Sequence, residues 1–157
     1  MSLITLDAWR RLWTDLGARD INGGLLNQLV SAYSQPHRHY HTLQHLRECL
    51  AMAEAASAVA SRPAEVALAL WFHDAVYEPM RHDNEVRSAD WAQASVLAAG
   101  CPPETADRVA ALVLATRHDA PPAPPDPDTD VVLDVDLSIL GMAADRFDQY
   151  EQAVRAE

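Results

Sequence analysis

The chain has few basic residues for its length: 12 lysines and arginines stand against 23 aspartates and glutamates among 157 residues. The formal net charge at pH 7 is therefore −11, with histidine taken as neutral. Nucleic acids and anionic membranes bind to patches of positive charge, which a chain of this composition has little material to build. We therefore expect neither a nucleic acid polymer nor a membrane as a partner.

Cysteines and long apolar runs are also scarce. Cys49 and Cys101 are too few for a disulfide framework, so we expect free thiols in a reducing compartment. The first residues are amphipathic and carry charges, which argues against a signal peptide, and no apolar run is long enough to cross a bilayer. These features predict a cytoplasmic protein, and the length predicts one domain over residues 1–157.

Apolar residues recur at helical spacing along the chain, whereas the alternation typical of strands is missing. The predicted fold class is therefore all-α, a single-domain helical bundle. The proline-rich segment 121–125 is too short a linker to separate domains, and Asp83 is a plausible helix N-cap. The predicted helices cover residues 6–16, 22–36, 42–59, 64–77, 83–99, 104–116, 130–140 and 143–155.

The dipeptide His73-Asp74 lies near the end of a segment, residues 64–76, that is apolar on nearly every side. Such a segment is typical of a helix buried all round. A buried carboxylate without a partner is costly and needs a compensating charge. A metal ion supplies one, because it binds neutral imidazole and ionised carboxylate together. A helix-end histidine capped by the neighbouring aspartate is the alternative, and the dipeptide alone does not decide between them.

Two other segments contribute residue types that bind metals. His41 and His45 are one helical turn apart and therefore share a helix face. Asp136 falls in an apolar helical stripe, whereas Asp134 lies nearer the polar side of the same predicted helix. A single carboxylate within an apolar stripe is a candidate functional group, so Asp136 is the better candidate of the two.

The order of these residues resembles the metal-binding signature of the HD-domain superfamily of metal-dependent phosphohydrolases. That signature is an isolated histidine, a His-Asp dipeptide on a buried helix and a distant aspartate, here His45, His73, Asp74 and Asp136. The finer pattern resembles a bacterial branch described as predicted HD-superfamily phosphohydrolases, and the implied fold is a helical bundle of the HD-domain and phosphodiesterase type. Four segments carry this resemblance in the family's order: residues 38–45, 71–77, 83–89 and 133–137.

One departure from that branch concerns the C-terminal part of the chain. Members of the branch tend to continue with more helix past the position of Arg155, whereas this sequence stops at Glu157. The resemblance therefore implies a C-terminal helical element that is missing or truncated here. We expect this difference either to leave the bundle less covered or to alter the site.

The resemblance implies a divalent transition metal, manganese, iron, cobalt, nickel or zinc, held by the four signature residues as one ion or as part of a pair. Such an ion would lower the pKa of bound water and neutralise charge on a phosphoryl oxygen. The implied enzyme is a metal-dependent phosphomonoesterase or phosphodiesterase whose substrate is a small phosphorylated metabolite, with nucleotides as the favoured class. A homodimer is a further open expectation.

Four more residues are candidates for the site, each with an ordinary alternative. His41, one turn from the proposed ligand His45, could protonate a leaving oxygen. This arrangement resembles the His-Asn-x-x-His element of cyclic-nucleotide phosphodiesterases, although Thr42 replaces the Asn here. The alternative is an exposed histidine at the start of a helix. Arg38 could clamp phosphate in a bidentate manner or be a surface cation. Glu85 and His118 could bind a second metal or the substrate, or be charges that suit helix ends.

Two other classes of function are also compatible with the sequence. The same scaffold with two iron ions supports oxygenases, which would require Glu85 and His118 to be real second-metal ligands. The domain could also bind a metal or a nucleotide without turnover and act as a sensing module. The sequence does not name a substrate.

Overall fold

The computed structural model describes residues 3–119, 121 and 124–157. These described residues form eight α-helices and one 3-10 helix, and they contain no strand, which confirms the all-α prediction. In chain order the helices are α1 (Leu6–Asp15), α2 (Gly23–Ala32), α3 (Leu43–Ala55), α4 (Pro63–Phe72), α5 (Asn84–Ala98), α6 (Pro103–Ala115), α7 (Pro127–Asp136), the 3-10 helix (Leu137–Gly141) and α8 (Ala144–Ala156).

Helix α4 lies at the centre of the bundle. It packs against α1, α3, α5, α6 and α7, and its residues from Leu68 to Phe72 are all buried. Pro63 stands at the first turn, where its missing N–H costs nothing because that donor has no partner within the helix. One hydrophobic core draws residues from α1 to α7. The predicted buried helix is therefore the element against which five of the other helices pack.

Helix α4 ends at Phe72, earlier than the predicted end near Tyr77. The backbone groups that would continue the helix are bound by side chains from elsewhere in the chain. The carbonyl oxygens of Asp74 and Ala75 accept hydrogen bonds from Arg38, and the Val76 N–H donates to the Ser88 hydroxyl. Hydrogen bonds to these side chains thus replace the backbone hydrogen bonds of the helix. His73 and Asp74 therefore lie at the end of α4.

The remaining helix ends agree with the sequence to different degrees. Asp83 stands at the N-cap position of α5 as predicted, but its carboxylate binds Arg81 and makes no capping hydrogen bond. The helix predicted over residues 130–140 begins earlier, at Pro127, and becomes a 3-10 helix after Asp136. Two residues of the predicted proline-rich linker, 122 and 123, lie outside the described residues.

Helix α8 lies on the outside of the bundle, and none of its residues is buried. Two contacts attach it to α3 and the loop before α3. Arg146 donates two hydrogen bonds to Glu48, at 2.7 and 3.1 Å, and Tyr150 packs edge-on against Tyr40 with ring centroids 4.7 Å apart. Among the described residues, no helix has both the length and the apolar character that a bilayer crossing needs.

Candidate metal centre

Three helices bring the four signature residues together. His45 lies in the first turns of α3, His73 is the C-cap of α4, Asp74 follows it, and Asp136 is the last residue of α7. Both histidines are almost fully buried, at 3% and 1% exposure. The ends of α4 and α7 therefore meet the start of α3 at one point.

The distances between the side chains are short and similar. The two histidine Nε2 atoms are 3.2 Å apart. Asp74 Oδ2 lies 3.4 Å from Nε2 of His45 and 3.0 Å from Nε2 of His73, and Asp136 Oδ1 lies 3.4 and 3.3 Å from the same two atoms. Nitrogen and oxygen ligands bind a transition metal at about 2.0–2.2 Å, which places neighbouring ligands about 3.0–3.5 Å apart. The four atoms have the spacing of a shared ligand set.

The hydrogen bonding of His73 determines which ring nitrogen presents a lone pair to this cluster. Its Nδ1 lies 2.7 Å from the Leu70 carbonyl oxygen. A carbonyl oxygen can only accept, so Nδ1 carries the hydrogen and a neutral His73 presents the lone pair of Nε2 to the cluster. A backbone carbonyl at the far nitrogen is the usual support of a histidine that binds a metal.

The carboxylate of Asp74 has one oxygen that the protein does not satisfy. Asp74 Oδ2 is buried and has no hydrogen-bond partner among the described residues. A buried acceptor without a partner costs free energy, and more so when it carries charge. A cation beside this oxygen would remove that cost. The donor set and the unsatisfied oxygen together fit a divalent transition metal.

The charges of the cluster act on one another. Burial by itself lowers the pKa of His73 and raises the pKa of Asp74. The attraction between the imidazoles and the carboxylates outweighs burial, so the pKa of His73 lies well above its usual value and that of Asp74 well below. An ion must displace protons from the histidines, and its binding therefore depends on pH.

Cys49 lies beside this cluster and was expected only to be a free thiol. His45, Cys49, His73 and Asp136 form a buried group that could hold a metal, with ligand atoms within 4.8 Å of one another. However, Cys49 Sγ lies 3.6 Å from Nε2 and 3.7 Å from Nδ1 of His45. A sulfur nearly equidistant from both ring nitrogens lies to the side of the ring. An ion bound by Nε2 would instead lie beyond that atom, on the axis of its lone pair and away from the sulfur. Asp74 is therefore the better fourth ligand.

A cavity of about 480 Å³ opens beside the cluster. This volume is in the range of small-molecule sites. The structure brings three of the four further candidate residues, His41, Glu85 and His118, to its lining. Together with Asp74, Asp136 and Tyr77, they provide most of its titratable groups.

Arg38 is the candidate that the structure places elsewhere. It is 5% exposed and does not line the cavity, so it is not a surface cation either. Its guanidinium donates to the side-chain oxygen of Gln35 and to the carbonyl oxygens of His41, Asp74 and Ala75. Arg38 thus joins the loop before α3 to the end of α4 instead of facing a phosphate.

Glu157 was not a candidate, yet its carboxylate contacts the site. It lies 2.7 Å from His41 Nδ1 and accepts backbone hydrogen bonds from residues 39–41. No sequence pattern marks it, because most of its partners are backbone groups. The position of Cys49 near the site had a weak signal in the sequence, since Cys49 lies one helical turn from His45.

Comparison of the chain with protein-family models, curated proteins and solved structures finds no match.

Proposed function

We propose that this protein is a metal-dependent phosphohydrolase of the HD-domain superfamily that acts on a small phosphorylated metabolite, with nucleotides as the favoured class. One observation carries the proposal. Four ligand atoms from His45, His73, Asp74 and Asp136 lie 3.0–3.4 Å apart in the measured pairs, beside an open cavity, and Asp74 Oδ2 has no hydrogen-bond partner among the described residues.

In this proposal the four residues hold one ion of manganese, iron, cobalt, nickel or zinc. Two imidazole nitrogens and two carboxylate oxygens are a mixed set that suits these metals. When bound, the ion supplies a Lewis acid that lowers the pKa of water and offsets negative charge on a phosphoryl group. The cytoplasm, a reducing compartment, is the proposed location and suits two free buried cysteines.

His41 is the proposed proton donor. Water attacks phosphorus, the bond between phosphorus and the leaving oxygen breaks, and that oxygen takes the proton from His41 Nε2. His41 lines the cavity together with Asp74 and Asp136, and its other ring nitrogen is bound to Glu157. Changing His41 to alanine should therefore keep the metal and reduce the rate by about a hundred- to ten-thousandfold, the usual contribution of general acid assistance.

The lining of the cavity supports a substrate that has both a charged and an apolar part. Arg81 and His118 provide positive or ionisable groups, whereas Tyr40, Tyr150 and Leu137 provide aromatic and apolar surface. A phosphate ester with a ring system, such as a nucleotide, offers both kinds of group. The aromatic side chains would then contact the ring, and the phosphate would lie near the metal ligands.

The test combines metal analysis with a panel of phosphoesters in the presence of manganese, cobalt or nickel. We expect about one ion per chain and turnover of at least one nucleotide or related phosphate ester. Asp136→Ala should lose both the ion and the turnover. Asp134→Ala is the matched control, because Asp134 is exposed on the same helix and should leave both unchanged. Full metal occupancy in Asp136→Ala, or no phosphoester turnover with any of these metals, would contradict the proposal.

A dinuclear iron oxygenase is the second candidate, because Glu85 and His118 line the same cavity as Asp74 and Asp136. This alternative requires two ions per chain and oxygen consumption that depends on iron. Both quantities can be measured on the same preparation by mass spectrometry and an oxygen electrode. A nucleotide that stays bound without turnover, in the absence of oxygen consumption, would instead identify a sensing module.

A further inference from the structure

The carboxylate of Glu157 is held by the loop that precedes α3. Its side chain is 2% exposed. One oxygen, Oε1, accepts hydrogen bonds from three consecutive backbone N–H groups: those of His39 at 2.8 Å, Tyr40 at 2.8 Å and His41 at 3.0 Å. Successive backbone N–H groups directed at one anion form a rigid and electrostatically favourable site. The carboxylate therefore has a fixed position relative to the loop.

The second oxygen binds side chains. Glu157 Oε2 lies 2.7 Å from His41 Nδ1 and accepts a hydrogen bond from the Tyr77 hydroxyl at 2.9 Å. The ring of Tyr77 also stacks on the ring of His41, with centroids 4.1 Å apart and planes inclined by 26°. His41 is thus held at one edge by Glu157 and over one face by Tyr77. This arrangement fixes both the plane and the rotation of the imidazole.

The charge of Glu157 decides which nitrogen of His41 carries hydrogen. Burial raises the pKa of this carboxyl, but hydrogen bonds from His41 and from the loop lower it to about 2. An ionised carboxylate only accepts, so His41 Nδ1 is the donor. His41 Nε2 makes no hydrogen bond to any residue that the structure describes. It is the nitrogen left to act in the cavity that His41 lines.

We propose that Glu157 is a positioning residue, which keeps a hydrogen on His41 Nδ1 and directs Nε2 towards the leaving oxygen of the substrate. This inference rests on the proposed function. The form that reacts is the imidazolium, which carries a hydrogen on both nitrogens. Its Nε2 proton passes to the leaving oxygen as the bond from that oxygen to phosphorus breaks, and the neutral Nδ1–H ring remains. The attacking water loses one proton as it becomes the new oxygen on phosphorus, and a proton returns to Nε2 before the next turnover. The hydrogen on Nδ1 stays in place throughout, because the carboxylate keeps it there.

Glu157→Gln tests this role without removing the contacts that hold the loop. A glutamine oxygen can still accept from the three backbone N–H groups, but the amide nitrogen then faces His41 and can only donate. It therefore favours the opposite tautomer, with hydrogen on Nε2 only, and leaves no place for the second hydrogen that the reacting imidazolium carries on Nδ1. The variant should fold, because Arg146–Glu48 and Tyr150–Tyr40 attach α8 independently of Glu157.

The first measurement needs no activity. Nitrogen-15 spectra of histidine-labelled protein, with the His41 signals assigned by their loss in His41→Ala, report which ring nitrogen carries hydrogen. We expect hydrogen on Nδ1 in the unchanged chain and a shift towards Nε2 in Glu157→Gln. Glu151→Gln is the matched control, because Glu151 is an exposed glutamate of α8 that pairs with Arg155. It should leave the His41 signals unchanged.

The second measurement is the rate with two kinds of substrate. Glu157→Gln should reduce kcat by about 10- to 1000-fold for an alkyl phosphate, whose leaving oxygen needs the proton, and much less for an aryl phosphate. KM and metal content should stay within about twofold, because Glu157 contacts neither substrate nor ion in this scheme. An equal loss with both substrates would indicate a structural role and overturn the inference.

The two proposals fail in different ways. If the unchanged chain turns over no phosphoester, the proposed function fails, and the tautomer measurement alone decides whether Glu157 positions His41. If the unchanged chain is active and Glu157→Gln retains the rate with alkyl phosphates, the positioning role is wrong and the proposed function stands. An unchanged tautomer in Glu157→Gln overturns the inference in either case.

Discussion

Helix α4 has a carboxylate near each end, Glu65 in its first turn and Asp74 just after its last residue. The two negative charges are balanced in different ways. Glu65 receives two hydrogen bonds from Arg108, at 2.6 and 2.8 Å. Asp74 Oδ2 lies among imidazole nitrogens and has no hydrogen-bond partner among the described residues. The charge of Glu65 is balanced within the protein, whereas that of Asp74 requires an external cation or protons on the neighbouring histidines.

The carboxylates at the two ends of α4 therefore differ in how their charges are balanced. A bidentate arginine–carboxylate pair satisfies both groups and leaves no site for a ligand. Two carboxylates that share two histidine nitrogens leave their ligand atoms directed at a common point. Changes at Glu65 should therefore alter stability alone, and changes at Asp74 should alter stability through the metal.

The largest expected effect is the loss of metal in Asp74→Ala. Removing a direct ligand should lower metal affinity by more than about a hundredfold, because second-layer partners alone are typically worth 10- to 100-fold. Metal content per chain, measured by mass spectrometry after gel filtration, checks this. Glu65→Gln is the control and should retain the metal of the unchanged chain. Equal metal content in both variants would remove the distinction between the two carboxylates.

The next effect is the gain in thermal stability on metal binding, and it should grow with pH. Because the pKa of His73 is raised in the folded state, its bound proton stabilises the metal-free fold. This stabilisation is complete at pH values below the ordinary histidine pKa of about 6.5. That contribution is lost as the pH rises through the raised pKa, whereas the ion needs the proton-free ring. At a hundredfold excess over Kd, the ion should add about 2.7 kcal/mol to the free energy of unfolding.

Thermal unfolding at pH 6, 7 and 8, with and without zinc or manganese, measures this widening difference in Tm. Asp136→Ala should show little gain from the metal at any pH, because it lacks one of the ligands. A gain in Tm that shrinks as the pH rises would contradict the assignment of His73 as a proton-free ligand.

A smaller effect is expected from Glu65→Gln. The variant loses a charge-assisted pair with Arg108, which should lower the free energy of unfolding by about 1–3 kcal/mol. The loss is limited because Arg108 is 40% exposed and water can solvate its free guanidinium. Urea unfolding of the metal-free proteins measures the change, and the gain on adding metal should equal that of the unchanged chain.

The smallest effect is predicted for Cys49→Ala. Because its sulfur lies off the Nε2 axis of His45, metal affinity should change by less than about threefold, far below the effect of losing a ligand. Competition with a coloured chelator measures this affinity. A loss as large as that in Asp74→Ala would make Cys49 a ligand, and the cobalt-loaded protein would then show a sulfur-to-metal absorption band that the variant lacks.

The sequence predicted which side chains cluster better than it predicted the groups around them. His73, Asp74 and Asp136 stand out in the sequence because they are polar side chains among apolar residues, and the choice of Asp136 over the exposed Asp134 follows from that contrast. His45 was selected by the resemblance to the HD-domain signature. The clustering of the four residues in space agrees with that choice. The metal itself stays a prediction.

The sequence did not predict the partners of Arg38 and Glu157, and the reason is common to both. Each binds mainly backbone groups, and a backbone carbonyl or N–H has no identity that a sequence pattern could reveal. Glu157 also lies 116 residues from His41 along the chain. The end of α4 at Phe72 was missed for the same reason, because Arg38 and Ser88 bind the backbone that follows it.

The order of the ligands along the chain has a consequence for folding kinetics. The residues from α3 and α4 are close in sequence, 28 positions apart, whereas Asp136 joins them only after the chain has passed through α5 and α6. No ion can bind all four ligands until this long loop has closed. An ion that binds only after closure should slow unfolding and leave the folding rate nearly unchanged. Stopped-flow unfolding with and without metal would measure this kinetic asymmetry, and an equal acceleration of folding would show that the ligands meet early.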